Sequence, residues 1–126
     1  MIFMREGGDP RRETGRIGEE WARRFLESKG WKILDTNWRT RWGELDIIAL
    51  AEGQVIVVEV RTTRGTRFGY GHESVDIRKR RQVRRLALRY LQEKGLHHLP
   101  VRFDVISVLL GGDNRPKNLR HLEGAF

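Results

Sequence analysis

Two apolar runs separated by a two-residue break constrain this chain most. Residues 44–51, ELDIIALA, and residues 54–62, QVIVVEVRT, flank Glu52-Gly53. Glycine reaches the left-handed backbone that a tight hairpin turn requires, and β-branched residues suit strands, so the stretch reads as an antiparallel hairpin. The Val/Ile content of the second run is that of a central strand buried on both faces. Such a strand needs a covering layer on each side of its sheet.

Two stretches can supply those layers. Ile17, Trp21, Phe25 and Leu26 recur at helical spacing, and Gly30 is a stop signal, which predicts a helix from about Thr14 to Lys29. Val83, Leu86, Ala87, Tyr90 and Leu91 mark one face of a second helix capped by Gly95, with arginines on the other faces. WKILDTNWRT reads as a strand joined to ELDIIALA by the tight connection RWG. Glycines 65, 69 and 71 keep TRGTRFGYGHES a loop. VRFDVISVLL is a further strand, GGDNRPKN turns the chain, and LRHLEGAF is either a short edge strand or a tail. The order α-β-β-β-α-β predicts an α/β fold, a mixed central sheet flanked by helices. No repeat or linker divides the 126 residues, a length typical of one domain. Residues 1–13 read as a flexible tail and 14–126 as the single domain.

Charge narrows the partner. The net charge of +8 suggests a polyanion, most simply nucleic acid. From Asp76 to Lys94 there are eight Lys/Arg against two acids, whereas Gly43–Val60 holds Glu44, Asp46, Glu52 and Glu59 and no Lys or Arg. No run approaches the ~20 apolar residues of a membrane span, and MIFMREGG turns charged too early for a signal peptide. The expectation is a cytoplasmic protein with no membrane partner. Without cysteine, any metal would rest on carboxylates, histidine or carbonyl oxygens, which favours Mg²⁺ or Mn²⁺.

The strand period of two places Glu44, Asp46 and Ile48 on one face and Leu45 and Ile47 on the other. On the next strand Glu59 and Arg61 share a face opposite Val58 and Val60. A turn at Glu52-Gly53 pairs residues whose numbers sum to about 105, which sets Asp46 against Glu59. Like charges so placed repel, and a buried carboxylate costs several kcal/mol unless it is paired or binds metal. Two readings stand. Asp46, Glu59 and the main-chain carbonyl of Val60 hold a divalent cation, or Asp46 forms an ion pair with Arg61 or Arg64.

Several motifs in order, TGRIGEEWARRFLESKGW, NWRTRWGELDIIA, VVEVRTTRG, SVDIRKRRQVRRLALRYL, RFDVISV and HLEGAF, resemble the YraN-type (UPF0102) family of predicted endonucleases. That family lies in the restriction-endonuclease-like PD-(D/E)xK superfamily and is similar to archaeal Holliday-junction resolvases. The resemblance implies a restriction-endonuclease-like αβββαβ core. It also implies metal-dependent hydrolysis of phosphodiester bonds in DNA, with branched DNA as one substrate and Mg²⁺ or Mn²⁺ as cofactor. Carried onto this chain, Asp46 and Glu59 become metal ligands, Val60 adds its carbonyl, and Glu19 is a further ligand or water-holding acid. Glu44 is a secondary candidate. The family usually has lysine where Arg61 stands. Arginine stays protonated, so Arg61 can hold phosphate and stabilise charge but cannot act as a general base. Since 20 of the 25 basic residues are arginine, the change also follows the composition. Lys79 is the lysine nearest this role at a family motif position, although phosphate contact is the expected part for it.

Arg64, Arg78, Lys79, Arg80, Arg81, Arg84 and Arg85 are the candidates for backbone phosphates of DNA. Phe68 and Tyr70 could stack on bases or pack over their loop, a choice that Trp38 and Trp42 share, whereas Trp21 and Trp31 read as core. His121 and Asp104 are assigned structural roles, Asp104 near the site. Resolvase-like proteins act on a symmetric junction, which makes a homodimer the expected assembly. A competing reading is a DNA-binding accessory protein on a nuclease fold that has weak or no cleavage, which Arg61 favours and the acidic pair disfavours. An RNA-binding protein unrelated to cleavage would explain the charge but leave the acidic pair without a role.

Overall fold

The computed structural model describes residues 10–65 and 75–126. Helix α1 spans Pro10–Ser28, and strands β1 (Lys32–Thr40), β2 (Gly43–Ala51) and β3 (Gln54–Arg64) follow. Helix α2 (Ile77–Glu93) leads into β4 (Val101–Leu110) and β5 (Pro116–Leu122). The helix starts earlier than the apolar spacing predicts. Proline is well suited to a first turn, where its missing N–H is not needed, so residues 10–13 of the expected tail are helical instead. The C-terminal segment resolves as an edge strand that begins at Pro116, before LRHLEGAF.

The five strands form one mixed sheet in sequence order. β1–β2, β2–β3 and β4–β5 are antiparallel, and β3–β4 is parallel with α2 as the crossover. Glu52 (φ 56°) and Gly53 (φ 74°) both adopt the left-handed conformation at the hairpin tip, as a two-residue turn of this hand demands. The β2–β3 register, Ile47 opposite Val58 through Ala51 opposite Gln54, is the one this turn sets.

Each helix covers one face. Ala22 and Leu26 of α1 pack on Ile47, Ala49, Ile56, Val58, Ile106 and Val108. Val83, Leu86, Ala87, Tyr90 and Leu91 of α2 pack on Leu45, Ile48, Val55, Val57 and Phe103. β3 is thus sandwiched between two cores, which explains its unbroken apolar run. Helix α1 comes close to β3 because Gly18 has no side chain. A Cβ there would overlap Thr62 Oγ1 and lie 2.7 Å from Thr62 Cβ. At the other helix, Asp76 caps α2 by accepting from the Lys79 N–H at 2.8 Å, which fixes where the first turn points.

The structural roles of Asp104 and His121 follow from their partners. Asp104 accepts from Arg102 Nε and Nη2, from the Gly124 N–H and from His121 Nε2 at 2.8 Å, a set that ties β4 to the chain end. Lys29 Nζ, which can only donate, lies 3.1 Å from His121 Nδ1, so Nε2 carries the proton given to Asp104. Burial alone would raise the Asp104 pKa, but the bonds from His121, Arg102 and Gly124 outweigh it and hold the carboxyl below its usual range. The expectation that Asp104 sits near the acidic pair needs correction. The alternation of β4 turns it with Ile106 and Val108 toward α1, whereas Glu59 lies on the α2 side.

A candidate active site where two strands part

β3 pairs with β2 only as far as Val58 but with β4 as far as Arg64. Beyond Val58 the two hairpin strands fork, and the acidic pair stands in that fork. Asp46 and Glu59 do not continue the regular ladder opposite one another. Instead the Asp46 carboxylate accepts the Val60 N–H at 2.9 Å.

Strict alternation fails here, contrary to the sequence reading. Leu45 and Ile48 both join the α2 core, whereas Ile47 joins the α1 core, so the pleat slips at Asp46. Asn37, which falls between the β1 residues paired with Leu45 and Ile47, has φ 50°. From there its Nδ2 donates to Glu19 Oε1 at 2.9 Å and to Glu44 Oε2 at 2.8 Å. The slip frees Asp46 from either core and gives it a main-chain partner on β3.

The electrostatics are those of crowded acids in a dry place. Glu59 is only 3% exposed, and its Oε2 is buried without a hydrogen-bond partner. Burial first, then the neighbouring Asp46 charge, push its pKa from 4.5 to about 7. Asp46 is also raised, by burial above all, against the pull of the Val60 N–H and the Lys79 charge. Glu19 is raised by burial, partly offset by its bond from Asn37, with Asp46 and Glu44 adding repulsion. Among the described residues no cation lies within ion-pair distance of Asp46, so the ion-pair reading with Arg61 or Arg64 fails. Arg64 donates to Thr14 Oγ1 and to the Gly111 carbonyl.

The pattern that carries these acids also places the chain among known proteins. Residues 18–108 match the profile described as Uncharacterised protein family UPF0102. The chain belongs to this family. It is 47% identical over 119 residues to a UPF0102 protein of Pelotomaculum thermopropionicum, which covers 94% of this chain and 98% of that relative. A UPF0102 protein of Syntrophotalea carbinolica is 47% identical over 116 residues, covering 92% and 93% of the two chains. One of Myxococcus xanthus is 45% identical over 116 residues, covering 92% and 90%. The UPF0102 segment includes Glu19, Asp46, Glu59, Lys79 and Asp104 and ends before His121.

The cations of this UPF0102 chain are sorted more finely than their sequence suggests. Lys79 Nζ lies 3.6 Å from Glu59 Oε1. It sits four residues before Val83 and seven before Leu86, so it continues the buried stripe of α2 toward the sheet. That spacing is the signal in the sequence that separates Lys79 from the arginines beside it. Arg61 is half-buried on the strand face of Glu59, and its Nε has no hydrogen-bond partner. Arg78, Arg81, Arg85 and Arg89 line an open groove of about 860 Å³ with Trp42. Arg80 donates to the Val75 carbonyl, and Arg84 lies over the Phe103 ring, so these two are engaged in holding structure. Trp38 packs edge-on against Tyr90 in the core, whereas Trp42 is 52% exposed. Phe68 and Tyr70 lie outside the described residues.

As a metal centre the fork is partial. Among the described residues no three His, Cys, Asp or Glu side chains converge into a ligand set. Asp46 and Glu59 stand together, and Glu19 is held aside by Asn37. Two carboxylates with a carbonyl and solvent or phosphate oxygens are nonetheless the donors that Mg²⁺ takes, since it keeps several waters. The unpartnered Glu59 oxygen fits that demand. No helix among the described residues is long and apolar enough to cross a membrane.

Proposed function

We propose that this UPF0102 chain is a Mg²⁺- or Mn²⁺-dependent DNA endonuclease whose reaction centre is the β2–β3 fork. The observation that carries the reading is Glu59, a buried carboxylate with an unpartnered oxygen beside a second carboxylate. An arrangement so costly in isolation becomes favourable when a divalent cation occupies it. Asp46, Glu59 and the Val60 carbonyl would hold that ion, which when bound polarises the scissile phosphate and lowers the pKa of a water.

The chain's own residues supply the rest. Asp46 is oriented by the Val60 N–H, which leaves its second oxygen for the ion. Lys79 and Arg61 bring two positive charges to the pair, where they meet charge developing on the phosphoryl oxygens. Lys79 thereby stands in for the lysine that the resemblance expects at position 61. Glu19, held by Asn37 in this structure, would have to turn from that bond to serve as the water-holding acid that the resemblance implies. A second reading, a cytoplasmic DNA-binding accessory factor with little cleavage, draws on Arg61 and on the missing third acid. A symmetric dimer would suit a branched junction, and light scattering with and without such DNA checks it.

Cleavage of branched and linear duplex DNA with Mg²⁺ or Mn²⁺ tests the proposal. Wild type should cut, and Asp46→Asn and Glu59→Gln should fall to background while both remain folded. Wild type that binds DNA and cuts neither substrate with either metal decides for the accessory reading.

A further inference from the structure

The arginines on the outer face of α2 share one side of a groove with an exposed tryptophan. Arg78, Arg81, Gln82, Arg85 and Arg89 follow the spacing i, i+3, i+4, i+7, i+11, a single stripe on a helix. Trp42, in the β1–β2 turn, forms the opposite wall. Gly43 (φ 146°) permits the close approach, because a Cβ there would lie 2.6 Å from Gln82 Nε2 and 3.1 Å from Leu86 Cδ1. Gln82 Nε2 then donates to the Trp42 carbonyl at 2.9 Å and fixes the turn against the helix.

Three features of the groove identify its ligand. Four of its lining residues are arginine and none is acidic, and none of the four has an ion-pair partner among the described residues. The occupant is therefore an anion with repeated charge. The Trp42 ring already receives planar groups, with the Arg89 guanidinium 4.1 Å and the Arg41 guanidinium 4.9 Å from its centroid. Exposed Ile77 adds apolar surface at the N-terminal end of the stripe. Alternating phosphates and flat aromatic bases are the chemistry that matches arginines interleaved with an indole. Bases within a duplex are stacked on one another and do not reach such a ring.

We infer that the groove between Trp42 and α2 binds an unpaired nucleic-acid strand, with a base stacked on Trp42 and phosphates on Arg81, Arg85 and Arg89. The inference deepens the proposed function by naming the form of DNA that the fork receives. The groove follows α2 for about 16 Å from Arg89 to Arg78, toward the end of the helix at which Lys79 lies 3.6 Å from Glu59. A branched molecule, with unpaired bases at its junction beside duplex arms, presents such a strand.

Fluorescence anisotropy with labelled oligothymidylate and with labelled duplex, both in EDTA, tests this without any cleavage. Trp42→Ala should weaken single-strand binding roughly tenfold and leave duplex binding within about twofold. Trp42→Phe, which keeps a stacking plane, should restore most of the loss. Trp42→Leu, which keeps bulk without that plane, should behave as the alanine variant does. Arg85→Gln should weaken both ligands and reduce the dependence on salt. Equal weakening of both ligands by Trp42→Ala, or none, overturns the inference and leaves a duplex-backbone surface. Because metal is excluded, a positive result stands even if the fork proves unable to cut, and a negative one leaves the fork's activity untouched.

Discussion

Glu59 carries the largest electrostatic strain at the site, and its sign makes a prediction. The unfolded chain ionises this carboxyl near 4.5 and the folded chain near 7. Between those values the folded state holds more protons, so stability falls as pH rises, by about 3 kcal/mol once both states are ionised. Metal-free wild type should therefore melt lower at about pH 8 than at about pH 5.5. Glu59→Gln should flatten the difference. Asp104 acts oppositely: its depressed pKa stabilises the fold above the ordinary carboxylate range, and that contribution is lost as pH falls through the folded value. The two effects lie in separate windows. Asp46→Asn keeps an oxygen for the Val60 N–H and removes one charge of the pair, so at about pH 8 in EDTA it should melt no lower than wild type. Thermal unfolding across pH checks all three, and a marked loss in Asp46→Asn would contradict the repulsion on which the site is built.

At the scale of elements, close approach positions the acids. Helix α1 lies against β3 at Gly18 and Thr62, and Glu19 is the next residue along. Gly18→Ala forces a methyl onto a β-branched side chain and should cost about 1–3 kcal/mol by denaturant unfolding, because Thr62 cannot move aside freely. Much of the element level was legible in the sequence. The Glu52-Gly53 turn set the β2–β3 register, and the apolar stripes of α1 and α2 named their buried faces. What strict alternation could not show was the slip at Asp46, since it depends on the left-handed backbone of Asn37, and asparagine there carries no distinct pattern. Lys79 was singled out by the resemblance yet expected to contact phosphate like its basic neighbours, because charge was read along the chain rather than around the helix. Arg89 and Trp42 became groove residues only when the β1–β2 turn met α2.

For the whole molecule, the three layers place two chemistries on one helix. The inner stripe of α2 ends in Lys79 at the acidic fork, and its outer stripe lines the arginine groove. Affinity for DNA should therefore fall steeply with salt, and removing Arg81 or Arg85 should lower the log–log slope by about one each. Removing Arg84, which lies over Phe103, should change that slope less. Titrations of labelled DNA at several salt concentrations measure this directly, and equal slopes for all three variants would show that the groove does not track the phosphates.

If Asp46 and Glu59 hold a metal ion, calorimetric titration of Mn²⁺ and Mg²⁺ into the DNA-free protein will register it. Wild type should take up metal, and Asp46→Asn and Glu59→Gln should each abolish that heat while retaining the fold. Wild type that binds neither ion, or variants that bind as wild type does, would show that the fork is not a metal centre.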